Sequence, residues 1–442
     1  PALTLDGMPI FTPYISELWA IEGDVRTGYR VFSPRVSVTY DIKGNGTSVL
    51  KASYAGYGSF SGSHLSRLNW DLQGNEIDVY WNDKNGDLVP QVGEWDEAFG
   101  TWVWWNVDPY DPYAMYTPNT FDKNYNSPLL DELTLSYEKS LGEDVTATLN
   151  AVYKKQSRLT REMGMFAVDK TGAPNGLTYA AGSVETADNW YKAGTWTFAD
   201  GKTKDNYERY YIPNRTYLTN YGSGTYNTYK GLQLIVTKKL SHGWMADISF
   251  TLSDWKSHID PEEFFDKTNF DYFNGGAVAL ESGAYDMKYF DFYYHDTPAP
   301  RVSNPGLAGM YVNSRWQLKL AGLVQLPFGI NLTGLFHARE GHIIAYYDLV
   351  NRSSGLGWTK VYEPGKKLGD DRLPAFLVLN LGLEKTFNFS SLAAATLFIN
   401  GYNITNNAAT LQVDPVLGTS SSGQPQRILN PGIFQFGVRV DF

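Results

Sequence analysis

The 442 residues hold no cysteine, 15% aromatic side chains and a formal charge of -10, which removes disulfide frameworks and cysteine metal sites and argues against nucleic acid as a partner. Forty-two glycines and 31 tyrosines against 7 methionines favour turns and pleated strands over helices. No run reaches the roughly 18 apolar residues of a spanning helix, but barrel strands cross membranes on much weaker, alternating signals.

Residues 1–30 are rich in turn formers and read as a loop or entry segment. From there Val36, Val38, Tyr40 and Ile42 share one face while Ser37, Thr39 and Asp41 share the other. Lys43-Gly44-Asn45-Gly46 turns the chain, and 48–58 returns as a second strand.

The next segment, 59–127, is long and rich in indoles: Trp70, Trp81, Trp95, Trp102, Trp104 and Trp105. Aromatic rings offer wide contact areas with polar edges, so glycan, peptide or a surface protein are the ligands this loop suits; packing within the loop is the equally simple use. Inside it, Asp83, Asn85 and Asp87 are spaced like the start of a calcium loop, with Glu94 at the twelfth place. The glycine stands at place four rather than six, so an ordinary Asn-Gly turn competes with calcium as the reading, and no other cofactor is expected.

Leu133, Leu135 and Tyr137 open a second hairpin, which turns at 141–144 and continues through Val145, Ala147, Leu149, Ala151 and Tyr153 with Lys154 on the polar face. A third sets Leu232, Leu234 and Val236 against Gln233, Thr237 and Lys239, turns at 241–243 and returns through Ile248, Phe250 and Leu252. The fourth carries Arg315, Gln317 and Lys319 on its polar face, turns at 327–329, and brings back Asn331, Thr333, His337 and Arg339. The fifth runs through Leu377 to Leu383 with Glu384 on the polar face, then through 392–402. A last strand alternates Phe434, Phe436, Val438, Val440 and Phe442 with Gln435, Arg439 and Asp441, which brings the count to eleven.

Short turns alternate with long excursions at about 59–127, 156–226, 254–311, 340–371 and 407–429. Outer-membrane barrels have this asymmetry, with turns in the periplasm and loops outside. The expected fold is therefore an all-β, antiparallel transmembrane barrel over 31–442, its loops read as structureless. Sandwiches and propellers share the alternation but not the alternating connection lengths. An odd set whose first strand descends does not close by itself, so either a strand lies within 1–30 or further strands lie upstream. The polar-face residues Lys154, Gln233, Lys239, Arg315, Lys319, His337, Arg339 and Glu384 are then lumen candidates, and outer-membrane lipids are the partner of the other face.

The final strand, Asn430-Pro431-Gly432-Ile433-Phe434-Gln435-Phe436-Gly437-Val438-Arg439-Val440-Asp441-Phe442, resembles the end of TonB-dependent outer-membrane receptors. Phe32-Ser33-Pro34-Arg35-Val36-Ser37-Val38 with Val49-Leu50-Lys51-Ala52-Ser53-Tyr54, Tyr229-Lys230-Gly231-Leu232, and Asn400-Gly401-Tyr402-Asn403 are similar to strands of the Oar-like branch. The resemblance implies that Phe434, Phe436, Val438, Val440 and Phe442 form a barrel-assembly signal. It also implies a parent of about 22 strands around a plug, of which this chain is the last half, and energised solute uptake through a TonB-binding segment absent here. A non-transporting adhesin or surface-complex scaffold is the alternative; no nucleophile, hydrolase or cofactor motif supports an enzyme.

Overall fold

The computed structural model describes residues 31–58, 83–88, 120–166, 168–213, 215–258, 260–265, 313–352, 357–362, 369–389 and 393–442, and the backbone of a few short strands elsewhere. One antiparallel sheet dominates. Its strands are β1 (Arg35–Asp41), β2 (Ser48–Gly58), β3 (Leu129–Ser140), β4 (Val145–Ser157), β5 (Tyr226–Ser241), β6 (Trp244–His258), β7 (Trp316–Leu326), β8 (Ile330–Arg339), β9 (Phe376–Asn388), β10 (Ala394–Tyr402) and β11 (Ile433–Asp441). Each pairs with its neighbours in sequence, so the path is a plain meander from β1 to β11, with the short segment Asp296–Pro298 added against β6. All eleven expected strands are present.

The turns have local causes. The Asp41 carboxylate accepts the backbone N–H of Lys43 and Gly46, at 3.2 and 2.6 Å, and closes the β1–β2 hairpin. Between β5 and β6 the two central residues, His242 and Gly243, take φ of 52° and 75°. Two consecutive positive φ values match the right-handed twist of the strands they join, which is why two residues suffice.

Register sorts the side chains onto two faces. One row across the ladder reads Tyr40, Leu50, Tyr137, Leu149, Leu234, Phe250, Leu318, Ala338 and Leu377. The adjacent row on the other face reads Thr39, Lys51, Ser136, Asn150, Gln233, Thr251, Gln317, Arg339 and Phe376. Both rows begin beside the β1–β2 turn and finish at the loop-side start of β9, the stagger that tilted barrel strands require. On β5 the apolar stretch is bounded by Lys230 and Lys238, roughly 27 Å apart at strand rise. Lys238 bends back to the turn, where its Nζ meets Ser241 Oγ at 2.6 Å and lies 4.4 Å from the Trp244 ring centroid, so its charge leaves the apolar face.

The buried core lies elsewhere. Among the described residues only Ala338 of the buried apolar side chains belongs to the sheet; Phe166, Phe198, Leu218, Ile343, Val361, Leu373 and Val413 all come from the excursions. This corrects the expectation of structureless loops. Thr160–Met165 pairs with Arg215–Asn220, which takes Thr120–Phe121 in parallel; Trp190–Thr197 pairs with Thr203–Arg209, Tyr347–Arg352 with Gly357–Tyr362, and Thr410–Val413 with Pro425–Ile428. Three excursions share one apolar cluster: Phe198 and Trp196 from the second, Val350 and Val361 from the fourth, and Leu417 from the last. A Trp196 Nε1 hydrogen bond to Asp348 Oδ2 at 3.3 Å joins the same pieces. Together they form a cap at the end of the sheet opposite the short turns.

Candidate functional site

The polar face and the cap meet at the loop-side ends of β7, β8 and β9, where Arg315, Glu340, Arg339 and Arg372 come together. Farther along the polar face the charges are answered locally. Lys51 pairs with Glu138 at 2.9 Å and Lys154 with Glu132 at 2.7 Å; Glu384 accepts from the Asn331 amide at 3.1 Å near the turn end. Gln233 shares its row with Asn150, whose amide reaches it at 3.5 Å. Lys239 stands where the β5 register shifts beside the turn, exposed and away from this convergence.

On β7 and β8, Lys319 lies opposite His337 and Gln317 opposite Arg339. The Gln317 amide nitrogen donates to His337 Nε2 at 2.7 Å, which leaves the imidazole proton on Nδ1. Arg339 stacks over the Phe376 ring at 4.8 Å and donates from Nη1 to the Glu340 carbonyl at 3.2 Å.

One residue farther, Arg315, Glu340 and Arg372 tie the sheet to the cap. Arg315 donates its backbone N–H and its Nε to the Glu340 carboxylate, each at 2.8 Å, and Arg372 Nη1 lies 3.1 Å from the same group. Arg372 also donates to the carbonyls of Asn313 at 2.7 Å and Gly341 at 3.1 Å. Burial would raise the Glu340 carboxyl, but the bonds from Arg315 and the charge of Arg372 outweigh it and hold it below the usual carboxylate range. Gly341 is obligatory: a Cβ there would stand 1.7 Å from the Leu373 carbonyl oxygen. This close approach places His342 inside the cap, where burial, then the Arg339 and Arg372 charges, lower its pKa to about 4.

Sequence reasoning singled out Arg315, Lys319, His337 and Arg339, and the structure brings them to one end of one face. It missed Glu340, Arg372, His342 and the Gln317 contact. The Glu340-Gly341-His342 triplet just past a strand end was the available signal.

Trp102, Trp104 and Trp105 lie in a short strand, Trp102–Trp105, paired with Glu76–Val79, while Trp70, Trp81 and Trp95 fall outside the described residues. Asp83 spends its carboxylate on its own turn: Oδ1 accepts from the N–H of Gly86 at 2.7 Å and Asp87 at 3.2 Å, and Oδ2 from Leu88 at 2.9 Å. These bonds, with the Asn85 side chain accepting from Asp87 N at 2.9 Å, are those of an ordinary Asx turn; Glu94 lies outside the described residues. Phe434, Phe436, Val438 and Val440 share the apolar face of β11, each more than half exposed, and Phe442 follows at full exposure.

Residues 20–333 match the family described as outer membrane beta barrel domain, which is most of the chain. The chain belongs to that family. The sheet is accordingly wall of a bacterial outer-membrane barrel, which accounts for a ladder that exposes its leucines and buries few of its residues.

No curated protein sequence matches the chain significantly. Among solved structures, it is similar to the outer membrane transporter YddB from Escherichia coli, at 12% identity and TM-score 0.42, covering 91% of this chain and 39% of that one. A mutant ferric enterobactin receptor, PfeA, from Pseudomonas aeruginosa gives 12% identity and TM-score 0.43, with 92% and 40% covered. BauA, the ferric preacinetobactin receptor from Acinetobacter baumannii, gives 10% and 0.37, with 93% and 36% covered. The chain spans about two fifths of these structures or less.

Proposed function

We propose that this chain is part of the wall and the external cap of a receptor that binds a solute outside the cell and admits it, by TonB-coupled energy, to the periplasm. The observation that carries the reading is the pairing of an eleven-strand wall, whose polar row is continuous from β1 to β8, with a folded cap at the opposite end from its short turns. A polar row facing a lumen suits water, a plug or a polar solute; an apolar row suits lipid. The cap then faces outward and the turns at 43–47, 141–144, 241–243 and 327–329 face the periplasm. Among the described residues β1 and β11 have one neighbour each, and bare strand edges are costly in lipid, which supports closure by further strands. The function is binding and a change of access, with no bond made or broken.

The cap also supports a second reading. Excursions that share a buried core resemble a docking platform, as an adhesin or surface-complex scaffold for protein, glycan or peptide would need. Energised uptake separates the two. Cells carrying the parent protein should lose accumulation of its ligand when TonB is deleted or the proton-motive force is collapsed, with surface binding retained. Accumulation unchanged under both treatments rejects the energised receptor.

A further inference from the structure

At the cap end of the wall the polar face carries positive charge without its counterpart. Arg315 and Arg372 are both answered by Glu340. Lys319 and Arg339 are not: among the described residues neither has a carboxylate partner, and the Arg339 contacts are a carbonyl and the face of Phe376. Other lysines of the same face, Lys51 and Lys154, do have such partners, at 2.9 and 2.7 Å. Lys239, beside the β5–β6 turn, likewise has no carboxylate partner among the described residues, so at the cap end this feature falls on β7 and β8.

The groups stand in a usable arrangement. Lys319 is exposed and sits directly across the ladder from His337, whose neighbour at one step along the face is Arg339. The Gln317 bond fixes the His337 ring and leaves its Nδ1–H as a donor. An ammonium, a guanidinium whose one hydrogen bond among the described residues is to the Glu340 carbonyl, and an imidazole N–H thus come from two adjacent strands. Such a set is matched by a group with several oxygens and negative charge, since guanidinium binds carboxylate or phosphate through paired hydrogen bonds. On the cap side the half-buried His342 is pushed down to about 4, first by burial and then by the Arg339 and Arg372 charges.

We infer that the cap end of the β7–β8 wall is a receiving site for the oxyanion groups of the solute, held by Lys319, Arg339 and His337 with Gln317 orienting the imidazole. This rests on the uptake reading and narrows it to solutes bearing carboxylate or phosphate groups. The charge is placed where a solute passing the cap first meets the wall, and opposite charge at an entrance raises the local concentration of the solute.

The test is binding of citrate and of inorganic pyrophosphate to the full-length natural protein in detergent micelles, by calorimetry at fixed ionic strength. Lys319→Gln with Arg339→Gln should weaken binding of at least one probe by about tenfold or more, and Lys319→Glu, a change at an exposed position that spares the Phe376 contact, should weaken it comparably. Lys51→Gln, which removes a lysine already paired with Glu138, should leave it unchanged. Equal loss in Lys51→Gln, or no loss in the β7–β8 variants, overturns the site. So does absence of binding by the natural protein, because carboxylates from another segment then neutralise these residues. Energy-independent uptake combined with charge-selective binding would sink the receptor reading and leave this site standing.

Discussion

The wall and the cap are built from the same unit, the antiparallel hairpin, and use it in opposite ways. In the wall, Leu234 pairs with Phe250 and Leu149 in a row that stays 43% exposed at Leu234 itself. In the cap, Phe166, Leu218 and Val361 are wholly buried. The difference is the solvent each face expects. Hydrocarbon replaces a core for the wall, whose stability then comes from ladder hydrogen bonds that lipid leaves no alternative for. The cap meets water and must bury apolar area against itself.

The comparison is broken most directly in the cap. Phe166 lies against Tyr179 with ring centroids 5.1 Å apart and has no exposed surface, so Phe166→Ala should cost the cap about 3–5 kcal/mol. Limited proteolysis between 168 and 213 should accelerate, while the heat-dependent gel shift of the barrel stays in place. Loss of both together would mean that wall and cap unfold as one unit.

In the wall the sign of the substitution matters more than its size. Leu234 is midway between Lys230 and Lys238 on the apolar face, so Leu234→Arg should cost about 2–4 kcal/mol near the midplane. Gln233→Arg, one residue away on the polar face, should stay within about 0.5 kcal/mol. Urea unfolding from lipid vesicles measures both; equal costs would undo the assignment of faces.

The wall was legible from the sequence because its rule is local. A period of two, read from Val36 to Ile42 or from Leu232 to Val236, decides the face of each side chain without knowledge of any partner. The polar-face positions of Lys319, His337 and Arg339 followed from the same rule. The cap obeys no local period. Phe198 meets Val350 and Val361 from an excursion about 150 residues away, and Glu340 acquires its role only because Arg315 and Arg372 arrive from separate segments. Those residues read as loop because the side chains they pack against come from distant segments.

Acid should open the cap before it touches the wall, and His342 is the reason. Its imidazole has an ordinary pKa of 6.5 when hydrated and about 4 in the closed cap, lowered by burial and then by Arg339 and Arg372. The closed state therefore disfavours the proton. Its stability is complete above pH 6.5, falls as pH drops toward 4, and levels off below that. Glu340 works in the opposite window: its carboxyl is held below the ordinary 4.5, so its contribution persists through this range and is lost only in stronger acid. Between pH 6.5 and 4.5 the change should thus come from His342, on the order of 1–2 kcal/mol once its partial solvent access is allowed for. Trp196, packed in the shared cluster, offers a fluorescence readout of opening in urea at each pH. The natural protein should need less urea at pH 5 than at pH 7.5, and His342→Gln should remove most of that slope while the unfolding of the wall is unaltered. A slope that survives His342→Gln would place the acid sensitivity in another group.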